Sequence, residues 1–208
     1  MDAAASGGRI ITTREDMRLT MIANRTRPGW PVGLVLLVGV VSLAADGQAT
    51  LAQGPPEWLR AEFEDLTAGG GRWVADNSAY RSEQEPWDAY GLEWTWGIGR
   101  QSVKGRLYGI SKGEEKASFW EYRLVWHPAE RQAILHQFGA WGSLGQGPMK
   151  PAPDGGTELE QTFHEPDGRA WKLRHTETSV AGERRSKSFD WVDGAWKETR
   201  TYVWRLAK

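Results

Sequence analysis

Six polar side chains have types and positions suited to chemistry: His136, Gln161, His175, Glu177, Glu198 and Arg200. Each falls on a strand-like face that is otherwise apolar. The two imidazoles are acid–base candidates because neutral imidazole titrates near physiological pH, and the ring lone pair can also ligate a haem iron. A strand histidine can equally be a hydrogen-bonded residue of the wall. No His-x-His or His-Glu-x-x-His spacing occurs, so zinc has little support and no metal site is assigned. Glu198 and Arg200 stand at i and i+2 of one extended face, where they can neutralise each other or clamp a ligand carboxylate.

Other cues exclude chemistry. Ser143, Ser179 and Ser188 lie in no nucleophile-elbow context, and the chain has no cysteine, which removes disulfides, thiolate metal sites and a thiol nucleophile. The glycine-rich stretch 142–147 opens no helix and lacks the Lys-Ser/Thr of a phosphate-binding loop. Lys172, Arg174, Arg184, Arg185 and Lys187 are diluted by Glu160, Glu177 and Glu183 and read as a solvated face. No residue is assigned a catalytic role. With 26 basic against 27 acidic residues there is no basic footprint, so nucleic acid is excluded as a partner.

The elements that must position these residues are mostly strands. After Pro55-Pro56, Leu59, Phe63 and Leu66 recur at helical spacing and Gly69-Gly70-Gly71 follow, which predicts one short amphipathic helix over 57–66. Beyond it the pattern is period-2, with runs at 72–77, 89–98, 103–111, 118–126, 132–140, 157–164, 170–180, 183–192 and 195–206, and a weaker one at 142–149. Short connectors such as Ser111-Lys112-Gly113, Pro166-Asp167-Gly168 and Asp193-Gly194 join sequential antiparallel neighbours. The fold class is therefore all-β: an up-and-down meander of about ten strands, closed into a barrel so that no edge is left open.

Taking the more apolar face of each strand as inward gives a lining of Tyr90, Trp94, Trp96, Leu107, Trp120, Tyr122, Trp126, Ile134, Phe138, Leu159, Phe163, Trp171, Leu173, Phe189, Trp191, Tyr202 and Trp204. The six polar residues share those faces. Gly105 and Gly109 also face inward and either leave space for a ligand or relieve strand curvature.

Residues 1–52 are a different kind of polymer. Arg18, Arg25 and Arg27 precede an uncharged stretch from Trp30 to Ala45, short of the ~20 residues that a spanning helix needs. The expectation is a secretory signal peptide cleaved after Ala49 or Ala52, with Met17 or Met21 as the true start; an uncleaved signal anchor is the alternative. Residues 53–208 then form one exported domain, periplasmic or extracellular, with no stable membrane insertion after cleavage. That domain keeps 12 of the 13 tryptophans.

The segment Gly71-Arg72-Trp73 at the start of the first strand, the short helix before it, the meander, and Arg205 on the last strand together resemble the calycin superfamily of lipocalin-like and fatty-acid-binding-like barrels. Three Gly-x-Trp matches occur, and position in the chain singles out this one. The resemblance implies that Trp73 packs at the closed end of the barrel under Arg205. It is nearest to the exported bacterial lipocalin-like proteins of unestablished function.

The functional expectation is a binding protein that holds a small hydrophobic or aromatic molecule against Trp94, Trp120, Tyr122, His136, Gln161, His175, Arg200 and Tyr202, with no cofactor. Two alternatives stay open on the same barrel: an isomerase, cyclase or lyase using His136 or His175 with Glu198, and a haem-binding form using the two histidines. A third is a carbohydrate-binding β-sandwich with exposed tryptophans as a sugar platform.

Overall fold

The computed structural model describes residues 54–180 and 182–207. The signal-like segment 1–52 lies outside the described residues. Helix α1 spans Glu57–Leu66. Pro56 holds an extended φ of −62° and ψ of 161°, and its carbonyl accepts the Leu59 and Arg60 N–H groups at 3.0 and 3.1 Å. Leu59, Phe63 and Leu66 form the buried stripe, as their spacing predicts. The helix ends where the Thr67 hydroxyl donates to the Phe63 carbonyl at 2.8 Å. Gly69, Gly70 and Gly71 then turn the chain with φ values of 58°, 85° and 73°. Gly71 is required twice over, since a Cβ there would lie 2.0 Å from the Trp94 carbonyl oxygen.

Ten strands follow: β1 Arg72–Asp76, β2 Ala89–Trp96, β3 Ser102–Ser111, β4 Glu114–His127, β5 Gln132–Gly139, β6 Leu144–Pro151, β7 Thr157–His164, β8 Ala170–Val180, β9 Glu183–Val192 and β10 Ala195–Leu206. Each pairs antiparallel with its sequence neighbours, and β1 pairs with β10, so the sheet is a closed barrel consistent with a calycin-like fold. Closure overturns the sandwich alternative. The Lys112-Gly113 and Asp193-Gly194 hairpins have positive φ at both central residues (54° and 78° in each), whose twist matches that of paired strands. The weaker run materialises as β6. β4 begins earlier than expected, because β3 absorbs two register shifts around Tyr108 that let pairing continue to Glu114.

Helix α1 seals the end of the barrel where β1 begins and β10 ends. Phe63 meets Trp96 edge-to-face at 6.0 Å, and the Trp73 indole donates to the Leu66 carbonyl at 2.9 Å. Trp73 is 1% exposed at this end of the barrel. Arg205 does not cover it. Trp204 and Leu206 belong to the barrel's core cluster, so strand alternation turns Arg205 outward, where it is 64% exposed and pairs with Glu183 at 3.0 Å. The cation over Trp73 is Arg184 of β9, its guanidinium 5.9 Å from the ring centroid.

Candidate ligand cavity

The inward faces enclose a cavity of about 650 Å³, running from α1 at the floor to the loops 77–88 and 140–143 at the mouth. A second cavity of about 530 Å³ adjoins it and shares Trp171, Leu173, His175, Ser188 and Arg200.

Large rings could fill such a lumen, and cross-strand glycines prevent it. Trp94 pairs across to Gly105, Trp120 to Gly139 and Phe163 to Gly145. A Cβ on those glycines would lie 2.6, 2.9 and 2.5 Å from the facing ring. Each ring therefore lies flat over its glycine, against the wall. Gly109 likewise receives Trp87, 2.3 Å from where its Cβ would be. The room left by Gly105 and Gly109 is used for seating rings, and the rings so seated leave the lumen open.

The floor is polar beneath this apolar shell. Arg184, 3% exposed, donates to Asp65, to Glu177 and, at 2.6 Å, to Glu62. Burial raises the Glu62 carboxyl above its ordinary range, against the pull of Arg184. Burial also works against the charge of Arg184, but the Glu177 and Glu62 carboxylates outweigh it and hold the guanidinium ionised. On the wall above, burial raises the Tyr122 hydroxyl, with the charge of Glu177 adding to it. The His175 ring meets the Ser188 hydroxyl at 3.1 Å, and burial lowers its pKa, so the imidazole is neutral at neutral pH.

The mouth is organised by Glu85, in the loop between β1 and β2. Arg200 grips both of its carboxylate oxygens, one at 2.6 Å, and the Tyr90 hydroxyl donates to it at 2.8 Å. These bonds, those from Arg200 first, hold Glu85 below the ordinary carboxylate range. The Tyr202 hydroxyl donates to Asn77 at 2.8 Å, Asn77 donates to the Trp87 carbonyl at 3.1 Å, and the Thr201 N–H donates to the Tyr80 hydroxyl at 2.8 Å. The loop is thereby strapped over β10. Opposite it runs an aromatic series. Trp141 meets Trp120 at 4.8 Å, Trp120 meets Phe163 at 5.6 Å, and Phe163 stacks on Trp171 at 4.2 Å and 9°.

Of the residues expected from sequence, Trp94, Trp120, Tyr122, His175, Arg200 and Tyr202 line the cavity. Gln161 projects inward from β7 just beneath the cavity surface, between Leu159 and Phe163, with no hydrogen-bond partner for either amide atom. His136 does not reach the interior. The β4–β5 hairpin pairs Leu124 with Leu135 and Tyr122 with Gln137, so Ala133, Leu135 and Gln137 face inward while Ile134, His136 and Phe138 face out. The most hydrophobic face of β5 was the wrong guide; its four-residue connector from His127 to Gln132 sets the register.

A bulge corrects the β9–β10 reading. Glu198 pairs with Phe189 but Arg200 pairs with Ser188, so Thr199 is the extra residue. Below it Arg184, Ser186 and Ser188 face the interior with Trp204, Tyr202 and Arg200; above it Phe189, Trp191, Trp196 and Glu198 lie outside. Glu198 therefore pairs with Lys187 at 3.1 Å rather than with Arg200. With His136 and Glu198 outside and His175 inside, neither the acid–base set nor a shared histidine ligation of haem iron assembles. Trp191 and Trp196 meet on the outer face at 5.1 Å and 68°, not as a coplanar sugar platform.

Sequence reasoning missed Glu85, Trp87 and Trp141, which sit in loops, Glu62, which lies off the apolar stripe of α1, and Arg184, which reads as part of a solvated face. Loop lengths carried the register of β5; nothing local marked the bulge at Thr199. Comparison with protein-family models, with curated proteins and with solved structures finds no match, so the functional reading rests on the barrel and its cavity.

Proposed function

We propose that this chain is a binding protein that holds a small hydrophobic or aromatic molecule inside its barrel, exported by way of the signal-like segment in residues 1–52. The observation that carries the reading is the ring-lined lumen of about 650 Å³, within the ~300–1,000 Å³ typical of small-molecule sites. Its walls supply apolar area, and a few fixed polar groups supply orientation: His175, Gln137 and the Tyr202–Arg200 pair. Binding needs no reacting residue.

The test is native mass spectrometry and tryptophan fluorescence against a panel of lipophiles. One-to-one complexes are expected, with quenching from the rings of Trp94 and Trp120. Leu173→Trp, which fills the lumen from β8, should abolish them. A panel without a single binder, or binding undiminished by Leu173→Trp, overturns the reading.

A further inference from the structure

We infer that the molecule bound in the lumen is a lipophilic amine, held with its ammonium group at the floor between Glu62 and Glu177. The inference rests on the cavity-binding reading and names the chemistry of its ligand. The charges that face the interior do not balance. At the mouth Glu85 and Arg200 neutralise each other through two hydrogen bonds. At the floor three carboxyl groups, Glu62, Asp65 and Glu177, share the single guanidinium of Arg184, and although burial favours the neutral form of Glu62, Asp65 and Glu177 alone outnumber that one cation. Among the described residues no lysine lines the cavity, and burial keeps His175 neutral.

Arg184 directs its three hydrogen bonds at this cluster and is not itself on the cavity surface, whereas Glu62 and Glu177 are. Each takes one N–H contact from Arg184, although an ionised carboxylate has about four acceptor sites. A carboxylate withdrawn from bulk water, as Glu62 is and Glu177 is in part, is costly without sufficient partners, and a cation delivered by a ligand relieves that cost. The cavity wall also carries the Trp94 and Tyr122 rings, 5.4 Å apart, and aromatic rings favour a nearby cation.

A second observation points the same way. Gln161, 1% exposed, holds an amide oxygen without a partner on the inward face of β7, an acceptor of the kind an ammonium needs, whereas the unpartnered Trp94 indole N–H is a donor and suits another part of the ligand. A carboxylate ligand is the opposite case. It would meet two carboxylates at the floor, and Arg200 is already taken by Glu85 at the mouth. A fatty acid is therefore the wrong charge for this barrel.

The experiment is calorimetric titration of the full chain at neutral pH with three matched probes: 4-phenylbutylamine, 4-phenylbutanol and 4-phenylbutyrate. The amine should bind about 10- to 100-fold more tightly than the alcohol, the span of a charge-assisted hydrogen bond, and the carboxylate weakest of all. Glu177→Gln should bring the amine down to the affinity of the alcohol. Glu62→Gln, which leaves Glu177 in place, repeats the test should the first variant not fold. Equal affinities, a preference for the carboxylate, or an amine preference that survives both substitutions overturns the inference while leaving cavity binding in place. No binding by any probe also overturns it, and the lipophile panel then decides whether the cavity reading falls too.

Discussion

At the floor of the barrel a helix drives Leu59 and Phe63, both fully buried, into the core cluster that holds Trp73, and a guanidinium ties that helix to β8 and β9. At the mouth a loop with only a short turn of helix is held by Glu85 in the grip of Arg200 and by the Tyr202–Asn77 and Thr201–Tyr80 hydrogen bonds, beside rings that meet solvent. Helix packing closes one end, and a partly exposed ion pair with a few hydrogen bonds closes the other. Packed cores open only with global unfolding, whereas regions with few buried apolar contacts open locally, so ligand exchange belongs at the mouth.

The largest effect that would sharpen this contrast is at Trp73. Trp73→Ala removes a fully buried ring and should cost about 3–5 kcal/mol, read by denaturant unfolding; a loss near that of a surface substitution would mean the floor is not the keystone. Arg184→Met, which strands three carboxylates, should cost about 3 kcal/mol or more at neutral pH, with part of the loss recovered in acid as those carboxylates take up protons.

The mouth should respond more weakly and with its own pH dependence. Glu85→Gln should cost about 1 kcal/mol or less, because the Glu85 and Arg200 side chains are partly exposed and screened. It should nonetheless speed hydrogen exchange in 77–88 and shorten ligand residence. Glu85 titrates below its unfolded value, so its contribution is present above about pH 4.5 and is lost as pH falls through the lower folded value. Acidification should free the strap in the native chain and do nothing to the strap of Glu85→Gln; exchange rates across pH 3–6 check it. Smallest is Trp141→Ala. At 55% exposure its removal should change stability by about 0.5 kcal/mol or less while slowing capture of aromatic ligands, measured by stopped-flow fluorescence.

How the candidate site emerged from sequence differs from strand to strand. On β8 the apolar alternation placed Trp171, Leu173 and His175 correctly, because only one face of that strand is apolar. On β5 both faces carry apolar residues, so hydrophobicity could not choose between Leu135 and Ile134. The pairing with β4 chose Leu135. On β9 the apolar Phe189 and Trp191 sit outside and the polar Arg184 and Ser186 inside, since the interior there meets the carboxylates of the floor rather than apolar rings.

The helix, the strands and their antiparallel order follow from local pattern, because a 3.6-residue stripe, period-2 alternation and turn residues act between near neighbours. Which face of β5 and β9 looks inward was settled by strand pairing in the closed barrel, since a one-residue shift of register exchanges every side chain between the two faces. The tertiary structure also made the pairs that define floor and mouth. Arg184 meets Asp65 and Glu62 across 119 and 122 residues, and Arg200 meets Glu85 across 115. No local pattern encodes contacts at such separations; closing the barrel brings them together.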